Sequence, residues 1–354
     1  MKLLLILGNG FDLNLGLPTS YRHFLKYYMD SNKYDVSENI VKLKSLIDSD
    51  YNKWSDLEVA LGEVSVHFDK ADDYIEAIEN VEQALSDYLT EVDKWNVINP
   101  DIVMRFCQDL MDFPNYFDVP TRNLWNKYLK NGYNDTSKWE YDIMTFNYTS
   151  SVEKILKIAI DDLGEDVSDF KSIVHIHMTL NDGLLMGVND NSQISNVSFK
   201  NDYLVKSTIV KPFVNREYDD GVDEKCRQLI DAADVVLLYG VSLGKTDAVW
   251  WQYIGDTMLQ SQKILVYCPY DLDKNLQHKS QVLRKKRQFA NYAGKALLLQ
   301  NADPLFPIND ILPIRENRMF DFGLDGHRVA HNYRLIYNQL MAKAPIKTTS
   351  YYTR

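Results

Sequence analysis

Residues 3–7, Leu-Leu-Leu-Ile-Leu, are apolar without a break and stop at Gly8. A short, unbroken apolar run that ends on glycine predicts a strand buried on both faces, as in a parallel sheet. Runs of the same kind recur at 141–146, 172–177, 235–240, 264–268 and 296–299. Several precede stretches of helical spacing, so the pattern predicts an α/β domain wound from βα units.

Between the first run and residue 141 the texture changes. Tyr21, Phe24, Leu25 and Tyr28 recur at helical spacing, and Tyr74, Ile78, Val81, Leu85, Tyr88 and Val92 form one long apolar stripe. Ser55-Asp56-Leu57-Glu58 has the spacing of a capping box. Residues 21–134 are therefore expected to be a mostly helical insertion, with 1–20 and 135–300 making the sheet domain. Residues 301–354 carry Pro304, Pro307 and Pro313 and then a helical pattern at 327–341, and are expected to pack on the main body as an extension. There is no internal repeat and no low-complexity tract.

Of 354 residues, 45% are hydrophobic and 25% charged, which predicts a packed core. The net charge of -11 argues against broad binding to nucleic acid, whose phosphates would be repelled over most of the surface. Arg284-Lys285-Lys286-Arg287 reads as a solvated helix face, with a local phosphate or nucleic-acid contact as the alternative. Cys107, Cys226 and Cys268 are isolated from one another, so no disulfide framework or zinc ribbon is expected. The five-residue apolar start is too short for a signal peptide or a membrane span, and no other stretch approaches twenty apolar residues. A soluble, cytoplasmic protein is expected, with no membrane partner.

Four segments carry candidate chemistry. Gly8-Asn9-Gly10-Phe11-Asp12 follows the first strand; its glycines would let backbone amides approach a pyrophosphate, and Asp12 would accept from a ribose hydroxyl or else cap the helix. Thr145-Phe146-Asn147-Tyr148-Thr149 ends a strand, where Asn147 would orient a ribose or a water, or merely cap the turn while Ser150 and Glu153 form a capping box. His175 and His177 share one face of a strand; no carboxylate or cysteine near them in sequence completes a metal set. His177, at the strand's end, is the candidate general base, with His175 as a buried, hydrogen-bonded neighbour. Gly240-Val241-Ser242-Leu243-Gly244-Lys245-Thr246-Asp247 suits a second phosphate or ribose contact through Gly240, Ser242 and Asp247, or is a turn capped by Thr246 or Asp247.

Together these segments resemble the bacterial AbiH abortive-infection family. The resemblance rests on Leu5-Ile6-Leu7-Gly8-Asn9-Gly10-Phe11-Asp12-Leu13, Gly16-Leu17-Pro18-Thr19-Ser20-Tyr21, Trp54-Ser55-Asp56-Leu57-Glu58, Thr145-Phe146-Asn147-Tyr148, the 174–177 strand and the 240–247 loop, in the family's order to about residue 270. That family is similar in turn to sirtuins and sirtuin-like NAD-cleaving defence proteins. Gly8 and Gly10, Gly16 and Pro18, Thr145 and Asn147, His177, and Gly240 and Ser242 stand where sirtuin motifs would place them. Met178 departs from the glycine that follows the sirtuin histidine, and the cysteines of a sirtuin zinc site are missing, so deacetylation is not expected.

The resemblance implies a Rossmann-like, sirtuin-like parallel sheet that binds NAD as substrate or ligand without a metal. It implies an anti-phage protein that hydrolyses NAD+ at the nicotinamide–ribose bond. Asn147 and His177 are the expected catalytic residues; Gly8, Asn9, Gly10, Phe11, Asp12, Gly240, Ser242 and Asp247 are the expected nucleotide contacts. A non-catalytic NAD or ADP-ribose sensor that switches a partner is the alternative. A toxin acting on nucleic acid through residues 284–287 is disfavoured by the acidic charge. A phage-derived trigger and self-association are the partners left open.

Overall fold

The computed structural model describes residues 1–132, 139–164, 169–218, 221–261, 263–268, 280, 284, 293–297, 311–314, 319–322 and 326–343. Of the 284–287 basic stretch only Arg284 falls within them. Six strands form one sheet: β1 (Lys2–Leu7), β2 (Glu140–Thr145), β3 (Phe170–His175), β4 (Val235–Tyr239), β5 (Ile264–Cys268) and β6 (Ile311–Pro313). The order is β3-β2-β1-β4-β5-β6 and every pairing is parallel, the arrangement of a Rossmann-like α/β sheet.

The apolar runs find their explanation in two covered faces. Leu4 and Ile6 of β1 lie in one core with Val236, Leu238, Leu265 and Tyr267, closed by Cys226 and Ile230 and by Trp250, Ile254 and Met258. These last residues come from helices Val222–Ala232 and Ala248–Gln260. On the opposite face Tyr239, paired in register with Leu7, meets the rings of Phe11 and Phe320, and Phe106 of helix Pro100–Met111 stacks on Phe320 with centroids 5.1 Å apart.

Two expectations need correction. Of the run expected at 296–299, residues 296 and 297 are not in a strand: 293–296 make a helical turn, and 298–299 lie outside the described residues. The sixth strand is Ile311–Pro313, so the C-terminal extension supplies an edge of the sheet. Pro313 is tolerated there because an edge strand has a side without a ladder to feed. The helix expected at 327–341 runs over Gly326–Lys343.

The chain divides into two compact units, at boundaries other than those expected. The first, Met1–Leu15, Val97–Thr179 and Asp219–Leu324, contains the sheet. The second, Gly16–Asn96, Leu180–Tyr218 and Asp325–Arg354, is built on helices. Its centre is rich in tyrosine: Tyr27, Tyr28, Tyr74 and Tyr88 are fully buried, and Tyr88 donates from its hydroxyl to the Pro18 carbonyl at 2.8 Å. Glu58 and Lys211 pair at 3.0 Å with side chains 5% and 6% exposed, tying helix Leu57–Val64 to helix Lys211–Tyr218. The capping box expected at Ser55 and Glu58 does not form. Asp56 is the cap, accepting from the Val59 amide at 3.3 Å, and Glu58 turns to the lysine.

Leaving one charge of a buried pair alone is far more costly than the pair itself is stabilising. Lys211→Met is expected to destabilise the fold by about 3–5 kcal/mol, read as a lowered urea midpoint. In the sheet unit, Gly240 has φ +66, and a Cβ there would stand 2.8 Å from Gly10 Cα and from the Phe11 nitrogen. Gly164 has φ +64 with nothing within 4 Å. Gly164→Ala should therefore cost only about 1 kcal/mol for the left-handed backbone, and Gly240→Ala roughly 3 kcal/mol or more, with thermal unfolding of the two variants as the comparison.

Candidate functional site

The strand order reverses direction between β1 and β4, and in such sheets ligands bind beyond the carboxyl ends of the strands at this point. Here the loops that leave β1 and β4 press backbone to backbone. A Cβ on Gly8 would stand 2.7 Å from the Gly240 carbonyl oxygen and 2.8 Å from Val241 Cα. The Gly8 amide donates to the Tyr239 carbonyl and the Gly10 amide to the Gly240 carbonyl, both at 3.0 Å, and the Phe11 amide donates to Gly8 at 2.9 Å. Phe11 is buried, its ring 5.6 Å from that of Phe320. Gly8, Gly10 and Phe11 thus serve the packing of two loops. Asn9 is the exposed residue of the turn.

Asp12 is 1% exposed and neither caps a helix nor faces solvent. Its carboxylate accepts from Thr149 Oγ1 at 2.7 Å and from Ser151 Oγ at 2.8 Å, which joins the helix after β1 to the segment after β2. A buried carboxylate demands such donors, because an unpaired one would be prohibitively costly. Asn147 makes the second link: its Nδ2 donates to the Gly8 carbonyl at 3.2 Å, and its amide donates to Thr145 Oγ1 at 3.0 Å.

The two histidines sit in different chemical settings. His175 donates from Nδ1 to the Asn147 carbonyl at 2.8 Å and from Nε2 to Glu153 at 2.7 Å. Both partners accept, so both ring nitrogens must carry protons and the ring is an imidazolium. Burial opposes that charge, but the Glu153 hydrogen bond and charge, the Asn147 carbonyl and the Asp12 charge outweigh it, and the pKa lies above the ordinary histidine value. The capping box expected of Ser150 and Glu153 is absent: Ser150 makes no side-chain cap and Glu153 serves His175.

His177 lies just beyond the end of β3, so it is a turn residue and not the last of a strand. It is 6% exposed, and its Nε2 lies 3.0 Å from Asp247 Oδ1. The rings of Phe146 and Tyr148 stand 5.2 Å and 6.0 Å from it. With Nε2–H donated to the carboxylate, Nδ1 is the basic nitrogen. Asp247 holds the first position of helix Ala248–Gln260, yet makes no side-chain cap and turns to the histidine. Its loop is braced by Trp251, whose indole N–H donates to the Gly244 carbonyl at 3.0 Å and whose ring stands 5.2 Å from Phe146. Ser242 is exposed at the loop's tip.

Met178, the departure from the expected glycine, has φ 64, and Leu243 has φ 52. Methionine thus takes the left-handed turn that glycine would favour, at a cost of order 1–3 kcal/mol. Strained residues in both loops flank the His177–Asp247 pair.

Gly8, Asn147, His177, Gly240 and Asp247 therefore come together at the carboxyl edge of β1, β2, β3 and β4, while Asp12 and Phe11 lie beneath it. Sequence reasoning missed Thr149, Ser151, Glu153 and Trp251 as its supports. Glu153 was signalled only by a spacing that local rules assign to a cap. Among the described residues no three His, Cys, Asp or Glu side chains gather to hold a metal ion. No described helix is long and apolar enough to cross a membrane.

Residues 4–268 match the model of a protein family described as Bacteriophage abortive infection AbiH. No curated protein matches the chain.

The His175 network generates a pH dependence. The folded protein holds the His175 proton more tightly than the unfolded chain, whose histidine titrates near 6.5. The stabilisation is complete below that value and is lost as pH rises through the higher native value. Stability should fall across the interval above 6.5, and Glu153→Gln should lower the His175 pKa and flatten that fall. Histidine NMR titrations and unfolding midpoints across pH check both.

Proposed function

The chain belongs to the bacteriophage abortive-infection AbiH family, and we propose that it acts by hydrolysing NAD+ at the nicotinamide–ribose bond. The observation that carries this reading is the partly buried His177–Asp247 pair beyond the carboxyl ends of the strands at the switch point of a Rossmann-like sheet. The order of segments shared with sirtuins supports the same substrate.

Nicotinamide departs neutral from a cationic pyridinium, leaving an oxocarbenium-like ribose that one water must reach. The site has to orient the ribose, admit that water and exclude the rest. Asp247 fixes the tautomer of His177, and Nδ1 takes a proton from the water as its oxygen bonds to ribose C1′. The C1′–nitrogen bond breaks with its electron pair going to the ring nitrogen. ADP-ribose and nicotinamide leave, and the proton passes from His177 to solvent. Asn147, fixed to Gly8 and close to His177 through Tyr148, orients the ribose. The exposed Asn9 and Ser242 meet the phosphates at the two loop tips. Loss of NAD halts the infected cell's metabolism before phage release, which is the logic of abortive defence.

Purified protein mixed with NAD+, alone and with lysate of phage-infected cells, should release nicotinamide. His177→Ala is expected to lower the rate by about 10²- to 10⁴-fold, and Asp247→Asn by less while moving the acidic limb of the pH–rate profile. Tight NAD+ binding by the wild type with no nicotinamide released under either condition would overturn hydrolysis in favour of a sensor.

A further inference from the structure

The helical unit contains a cleft of about 810 Å³ lined by helix Tyr21–Asp30 and helix Gly326–Lys343. That volume suits a small ligand. The second helix lies outside the residues that match the family, so only one side of this cleft falls within the match.

Its lining combines cations with aromatic faces. Arg22 and Arg334 are exposed, and among the described residues neither guanidinium has an ion-pair or hydrogen-bond partner. Lys26 is paired with Asp30 at 3.0 Å, and the Tyr337 hydroxyl donates to the same Asp30, so this acid is already neutralised. The His23 ring lies 4.7 Å from the Tyr333 ring at 33°, and Tyr333 lies 5.6 Å from Tyr337. The Tyr333 hydroxyl is buried with no hydrogen-bond partner among the described residues, a condition native folds seldom leave unexplained.

Paired guanidiniums on facing helices recognise phosphate through forked hydrogen bonds, and ranks of aromatic rings offer stacking faces to a base. Asp48 at the cleft and the chain's net charge of -11 disfavour a long polyanion. We propose that this cleft is a second ligand site that takes a free nucleotide, with its phosphate on Arg22 and Arg334 and its base against the tyrosine–histidine faces. The inference does not rest on NAD+ hydrolysis, and its test reads binding alone.

Calorimetric titration of the full chain with AMP and ATP should show saturable binding. Arg22→Ala and Arg334→Ala, both at exposed positions, should each weaken it by about tenfold or more with unchanged circular dichroism, and Arg334→Lys should recover only part of the loss. His177→Ala should leave this binding intact, which separates it from the sheet site. Burial and then the Arg22 charge hold the His23 pKa below its ordinary value, so a bound phosphate should raise it, seen by NMR titration. The proposal is overturned if neither nucleotide binds saturably, or if both arginine variants bind as the wild type does. It is equally overturned if inorganic phosphate binds as tightly as AMP, or if a 5′-phosphorylated oligonucleotide binds more tightly than either nucleotide.

Discussion

The closure of the β1 loop against the β4 loop is the constraint on which the sheet unit's site depends. Two backbones approach there within distances that no side chain permits, and the Gly10 amide and Gly240 carbonyl seal the contact at 3.0 Å. Because these polar groups satisfy one another, the loops can be buried without orphaned amides. Asn147 then reaches the Gly8 carbonyl from β2, and His175 reaches the Asn147 carbonyl from β3. Each strand's exit is thereby referred to the same turn. A glycine pattern that reads locally as a phosphate cradle is, in this fold, the fastening that lets four loops share one edge.

A second regularity explains where sequence reasoning succeeded and where it stopped. Apolar runs are legible because burial on both faces removes any reason to alternate, as in β1, β4 and β5, and β2 and β3, interrupted by polar residues, still stand close to where their apolar residues put them. Ile311–Pro313 was not legible, since three residues, the last a proline, carry almost no periodicity. The carboxylates were misread for a different reason. Asp12, Glu58, Glu153 and Asp247 all lie in or at the first turn of a helix, where local rules assign them to caps, yet each bonds a group distant in sequence. Placement near a helix N-terminus still favours their negative charge. What spacing cannot reveal is that a buried hydroxyl pair, lysine or imidazole lies within reach and needs an anion more than the helix end does.

The left-handed backbone at Met178 belongs to the same lesson. Residue identity there speaks against the turn, and the conformation is adopted nevertheless, where the preceding His177 is held to Asp247 and the strand before it is fixed in register with β2. Local strain of this size persists only where surrounding contacts over-determine the path. Leu243, in the loop that carries Asp247, is left-handed as well.

These restraints decide which of the two histidines can do chemistry. His175 gives both ring protons to acceptors, so in that form it has no lone pair with which to take a proton, and its partners raise its pKa. It serves as a cationic clamp between Glu153 and the backbone of Asn147. His177 meets one carboxylate through one nitrogen, so its other nitrogen keeps the basicity that a proton transfer needs. Asp247 stands at the positive end of a helix whose first amides favour an anion there, and its side chain serves His177 in place of a cap. Exchanging the environments of the two rings would leave the same residues at the same edge and no base among them. What sets the two rings apart is therefore less the residue type than the acceptor that the loop after β4 presents to His177.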